Sequence, residues 1–160
     1  MKNKLISLLR QDARLSNQQL AVMLGATEKE IEEEIQHLEK EGVIMGYSAI
    51  VNEDKIDDDK VTAIIELRVT PQKDCGFEEI AKTITAYEEV ESLALMAGAY
   101  DLAVTVKGDN VKDIAMFVSQ RLAPLSGVLS TATHFVLKTY KDKGICIDGE
   151  EKDERNFFLP

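Results

Sequence analysis

The sequence predicts an α+β chain of two units, a short helical one followed by a larger mixed one. Three observations carry that expectation. Between Leu15 and Tyr47 the run LSNQQLAVMLGATEKEIEEEIQHLEKEGVIMGY places apolar residues at helical spacing, interrupted at Gly25 and Gly42. From Val61 the period changes, and VTAIIELRV reads as a β-branched, largely apolar strand. The second half then orders its elements strand, helix, strand, strand, helix, strand, which is the split βαβ, or ferredoxin-like, arrangement.

The elements follow in chain order. MKNKLISLLRQDARL reads as an amphipathic helix with Leu5, Leu8 and Leu9 inward. It lacks a signal-peptide apolar region and cleavage site. The next helix begins at Ser16 or Asn17, both good N-caps, and Leu20, Met23 and Leu24 supply its buried stripe. Gly25 ends it, being free to adopt a left-handed conformation. Thr27 opens a third helix, with Glu30 completing a capping box. Ile31, Ile35 and Leu38 share one of its sides, and Gly42 closes it. Val43 and Ile44 lead into an extended stretch read as a strand over Met45–Val51. Helix, turn, helix and strand is the layout of a winged helix-turn-helix, whose second helix normally lies in the DNA major groove. A helical hairpin with no nucleic-acid role has the same periodicity.

Residues 53–60 belong to a polar, acidic linker, NEDKIDDDK counted from Asn52. Val61–Val69 is the first strand of the second unit, with Val61, Ala63, Ile65, Leu67 and Val69 suited to a helix-covered side. Phe77, Ile80, Ala81 and Ile84 mark a helix to about Tyr87, and Val90–Met96 alternates as a strand. Gly98–Asp101 makes a turn into the strand Leu102–Val106. Gly108-Asp109-Asn110 caps a helix over Val111–Leu122, with Ile114, Ala115, Phe117, Val118 and Leu122 inward. Pro124 and Gly127 break the chain before a long last strand, Val128–Tyr140. The domain reading is therefore residues 1–52, a linker at 53–60, a second unit at 61–143 and a tail at 144–160. One sheet face remains without helices, so a sheet-to-sheet dimer is expected, building to larger oligomers up to an octamer.

The run LEKEGVIMGY, with the upstream DARLSNQQLAVMLGAT, resembles the Lrp/AsnC (feast/famine) transcription regulators, and the resemblance extends over about residues 5–143. It implies an N-terminal domain that binds double-stranded DNA and a C-terminal domain that senses an amino acid. The candidate DNA-contacting residues are Arg10, Arg14, Gln18, Thr27, Lys29, Glu33 and His37. Gly98-Ala99-Tyr100-Asp101 matches the family's GxYD turn, and Thr131 and Thr133, thirty and thirty-two residues after Asp101, match its paired hydroxyls. The resemblance thus implies an effector site of Gly98, Tyr100, Asp101, Thr131 and Thr133. The chemistry suits an amino acid: a fixed carboxylate attracts an ammonium group, and hydroxyls attract a carboxylate. His134 should face away from Thr133.

Charge complicates the DNA reading. The chain carries a net charge of −10. From Glu28 to Glu41 seven carboxylates face two lysines, a local net charge of −5. Lys and Arg contacts to phosphate supply most affinity for DNA, so this helix forgoes that attraction. Glu28 and Glu30 sit in the first turn, where the helix dipole favours them. A glutamate can also accept from cytosine N4. Residues 1–24 offset part of the deficit: Lys2, Lys4, Arg10 and Arg14 stand against Asp12, a net +3. The competing function is a metabolite-sensing oligomer whose acidic helix-turn-helix no longer binds DNA.

The remaining classes find little support. Hydrophobic residues make up 44% of the chain, which favours a packed core over disorder. No apolar run approaches the length of a membrane helix. Cys75 and Cys146 lack metal-ligand spacing and are expected as reduced thiols in a cytoplasmic protein. No metal cluster, phosphate loop or paired nucleophile suggests an enzyme, and no cofactor is expected.

Overall fold

The computed structural model describes residues 1–56, 60–71 and 76–147. Cys75, part of the acidic linker and the tail beyond Ile147 lie outside the described residues. The chain divides after Ile50 into two compact units.

The first unit holds three helices, α1 (Lys2–Gln11), α2 (Asn17–Leu24) and α3 (Glu28–Lys40). Both capping signals operate. The Ser16 hydroxyl accepts from Gln19 N–H while the Gln19 side chain accepts from Ser16 N–H. At α3, Thr27 and Glu30 make the same reciprocal pair. The Thr27 backbone N–H and hydroxyl both donate to the Glu30 carboxylate, and these bonds hold its pKa below the ordinary value. The contribution of this cap is therefore complete above the ordinary carboxylate pKa and is lost as pH falls through the lowered one. Gly25 turns the chain between the helices at φ 65°, which a side chain with a Cβ rarely adopts. Leu5, Leu20, Ala21, Ile31 and Leu38 are the buried core, with Leu8, Leu9, Leu24 and Ile35 packed at its margin.

Two expectations for this unit fail. Met23 is 59% exposed, and Ala21 takes the buried place beside Leu20. Met45–Val51 forms no strand, because a strand exists only where a partner supplies a hydrogen-bond ladder, and neither sheet among the described residues includes this run. It is extended chain, held at its start by Val43 and Ile44 N–H groups donating to Leu38 O. The Tyr47 hydroxyl donates to Glu39 at 3.0 Å, and partial burial together with that carboxylate raises the phenol's pKa.

The second unit is a four-stranded antiparallel sheet with two helical elements. Its strands are β1 (Val61–Val69), β2 (Val90–Leu95), β3 (Leu102–Gly108) and β4 (Val128–Phe135), in the order β2-β3-β1-β4. The helices are α4 (Glu78–Thr85) and α5 (Val111–Phe117), the latter continuing as a π-helical turn, Val118–Leu122. Ala63, Ile65, Leu67 and Val69 from β1 join Leu102, Val104 and Val106 from β3 and Ile80, Ile84, Ile114 and Phe117 from the helices in one core. Ala115, expected inward, is exposed. A short 3-10 turn, Glu53–Lys55, precedes the sheet, and Glu53 pairs with Lys107 at 3.0 Å.

The last strand is shorter than its sequence suggests. β4 pairs with β1 from Val69 back to Ala63, and Val136 N–H makes a final bond to Thr62 O. Beyond that point β1 has only Val61 left to offer. The chain leaves the sheet and forms a small hairpin, β5 (Lys141–Asp142) with β6 (Ile145–Cys146). Cys146 is exposed and carries a free thiol.

Candidate functional site

In the first unit the candidate nucleic-acid surface gathers on the outside of the helices. Arg10 ends α1, Arg14 lies in the loop before α2, Gln18 is the second residue of α2, and all three are exposed. Thr27 spends its hydroxyl on the α3 cap. Lys29, Glu33 and His37 are exposed at four-residue intervals, and so occupy one side of α3. Two basic side chains of α3 meet acids within the unit. Lys29 Nζ stands 3.7 Å from Glu33 and His37 Nε2 stands 3.4 Å from Glu41, which also receives Lys2 Nζ at 3.7 Å. Arg10 and Arg14 have no ion pair among the described residues. Lys40 at the end of α3 likewise has no ion pair among the described residues, so unpaired positive charge lies on α1, the following loop and the end of α3.

In the second unit the turn between β2 and β3 is pinned on three sides. Met96 N–H donates to Asp101 O at 2.7 Å, Asp101 N–H donates to Leu67 O at 2.9 Å, and Arg68 Nε donates to Ala99 O at 2.9 Å. The half-buried Asp101 carboxylate accepts from Val69 N–H at 2.8 Å. That bond has a local cause. β3 begins at Leu102, opposite Leu67, so no β3 backbone group pairs with Val69, and the Asp101 side chain accepts the Val69 N–H instead. Asp101 therefore has a structural duty that a sequence motif does not reveal. One carboxylate oxygen serves Val69, and the other faces no described partner. Gly98 is exposed and Tyr100 is half-buried in the same turn.

Thr131 and Thr133 share a face of β4, half-buried, while His134 points the other way and meets Glu66 at 3.5 Å. Register decides which face that is. Thr131 opposes Leu67 and Thr133 opposes Ile65, and directly opposed residues project to one side, so both threonines point to the helix-covered side. Leu67 also opposes Leu102. Thr131 thus lies two strand spacings, about 10 Å, from the strand that Asp101 begins. The structure groups Gly98, Tyr100 and Asp101 but leaves the threonines apart from them. Arg68, an open-face residue of β1 that sequence reasoning did not single out, stands beside Asp101. Only pairing register could have found it.

No group of three or more His, Cys, Asp or Glu side chains is placed to hold a metal among the described residues. No helix among them is long and apolar enough to cross a membrane.

Comparison with known proteins agrees with both units. The Lrp/AsnC ligand binding domain model matches residues 62–145, and a winged helix-turn-helix DNA-binding model matches residues 2–45. The HTH-type transcriptional regulator YugG of Bacillus subtilis is 40% identical over 160 residues, covering 99% of this chain and 96% of that protein. The leucine-responsive regulatory protein of Haemophilus influenzae is 28% identical over 144 residues, covering 90% of this chain and 86% of that one. The crystal structure of a Neisseria meningitidis transcriptional regulator in complex with L-Met has the same fold, with a TM-score of 0.70 at 23% identity over 88% of this chain and 90% of that chain. A DNA-binding helix-turn-helix joined to a ligand-binding domain defines a transcriptional regulator, not an enzyme. The chain belongs to the Lrp/AsnC family.

Proposed function

We propose that this regulator senses an amino acid at the Gly98–Asp101 turn and transmits its binding to the helix-turn-helix through an oligomer. The half-buried Asp101 carboxylate carries the reading. It is fixed by Val69, sits in a pinned turn, and lies inside the ligand-binding domain. A carboxylate held partly out of water favours a cation, and an ammonium group supplies one. The leucine-responsive relative and the L-Met complex support the same ligand class. Gly98 and Tyr100 shape the turn, while Thr131 and Thr133 stand apart from it on the helix side of β4.

Assembly uses the open sheet face. Thr62, Ile64, Glu66 and Arg68 of β1 lie there with Ala103 and Thr105 of β3 and Ala132 and His134 of β4. Ile64 is the one large aliphatic of β1 on this face, opposed by Thr105 on β3 and His134 on β4. A dimer, or a larger ring up to an octamer, brings several helix-turn-helix units to one double-stranded DNA, which raises weak contacts by effective concentration.

DNA contact falls to Arg10 and Arg14 at the backbone, with Gln18, Thr27, Lys29, Glu33 and His37 toward the groove. The excess of carboxylates on α3, one of which pairs with Lys29, favours a second reading, a sensor that does not bind DNA. Replacing Glu33 by Arg separates the two. On a groove-facing helix the change removes a repelling charge and frees Lys29, so non-specific affinity rises and its salt dependence steepens by about two phosphate contacts. Unchanged affinity in a filter-binding salt titration favours the second reading. The overall test is a gel shift on the DNA upstream of the chain's own coding sequence, with and without each amino acid, alongside light scattering. A stable 17.8 kDa monomer at micromolar concentration overturns the assembly, and mobility indifferent to every amino acid overturns the sensing.

A further inference from the structure

We propose that Arg68 is the carboxylate-binding residue of the effector site, so that the ligand is gripped as a zwitterion between Asp101 and Arg68. The inference rests on the reading of the Gly98–Asp101 turn as the sensing site.

Four observations carry it. Leu67 opposes Leu102, so Arg68 and Asp101 are the next residues outward on adjacent strands. Two opposite charges thus flank one turn, and no ion pair joins them. Arg68 is also oriented. Its Nε donates to Ala99 O at 2.9 Å, the centre of the same turn, which fixes the plane of the guanidinium. The two terminal nitrogens of that fork have no partner among the described residues. An arginine locked at Nε with a free terminal edge is prepared for carboxylate recognition at little further entropic cost.

Asp101 is arranged in a complementary way. Its Oδ2 accepts the Val69 N–H at 2.8 Å, and its other oxygen has no described partner. The sheet therefore presents one negative and one positive group, each immobilised through a single atom and each with bonding capacity left over. A free α-amino acid, with ammonium and carboxylate on adjacent carbons, matches that pair. A simple amine or a simple carboxylate satisfies only half of it. Ser130 opposes Arg68 on β4 and adds an exposed hydroxyl to the same open face, where Thr131 and Thr133 do not point. The site then discriminates on both termini of the ligand, and its outer part borders the face assigned to assembly.

Isothermal titration of the full chain with each of the twenty L-amino acids, and with the α-amide of whichever binds most tightly, tests this. Arg68→Gln is the informative variant, because its side-chain amide keeps a donor for Ala99 O and removes the charge. Wild type should prefer the amino acid over its amide by roughly tenfold or more. Arg68→Gln should lose that preference while binding the amide as wild type does. If wild type binds an amino acid and Arg68→Gln binds it equally well, or if acid and amide weaken together, Arg68 does not hold the carboxylate, although the turn still senses amino acids. If wild type binds none of the twenty, the sensing reading and this inference both fall.

Discussion

Replacing Asp101 by Asn is expected to abolish amino-acid sensing while leaving the ligand-binding unit folded. The amide oxygen still accepts the Val69 N–H, so the bond at the end of β1 survives. The charge that opposes the ligand's ammonium does not. Loss of a hydrogen bond to a charged group costs about 2–3 kcal/mol, which is roughly a 30- to 150-fold rise in Kd. Asp101→Ala should bind as poorly and also unfold earlier. It leaves the N–H of Val69, only 4% exposed, without an acceptor, at a cost of about 1–3 kcal/mol. Calorimetry and thermal unfolding measured on both variants separate the two duties. Equal binding by wild type and Asp101→Asn would move the site away from this turn. Thr131→Val should weaken binding less, because its hydroxyl lies about two strands away on the other side of the sheet.

Leu38→Ala is expected to unfold the helix-turn-helix and end DNA binding without touching the sensor. The first unit has five buried residues, and Leu38 is one of those with no exposed surface. Removing it costs about 2–5 kcal/mol. A single core in a unit of some fifty residues rarely supplies more than about 3–5 kcal/mol in all. Leu38 O also receives the N–H groups of Val43 and Ile44, so α3 and the turn after it loosen together. Circular dichroism should show an early loss of helix at a temperature where amino-acid binding persists, because the second core contains none of these residues. A single transition at the wild-type temperature would contradict this.

Local chemistry was legible without coordinates. Ser16 is an N-cap, as one of the two residues read for it, and Thr27 with Glu30 forms a capping box, because such bonds close within four residues. Gly25 ends α2 because the left-handed turn needs no distant partner. β1 runs Val61–Val69 as read, since its apolar side is continuous in sequence. The family likeness was legible too, through LEKEGVIMGY and the GAYD turn.

Pairing was not. Whether Met45–Val51 is a strand, where β4 stops, and which side Thr131 and Thr133 face depend on which residue stands opposite which. An alternating pattern leaves that choice open, because slipping by one residue exchanges the faces. The sequence by itself determined the five helices, the order of the four main strands and the family to which the chain belongs. Tertiary structure alone decided that Asp101 is tied to Val69 and that Arg68 stands beside it, because those neighbours are 32 and 33 residues apart and meet only through the β1–β3 register.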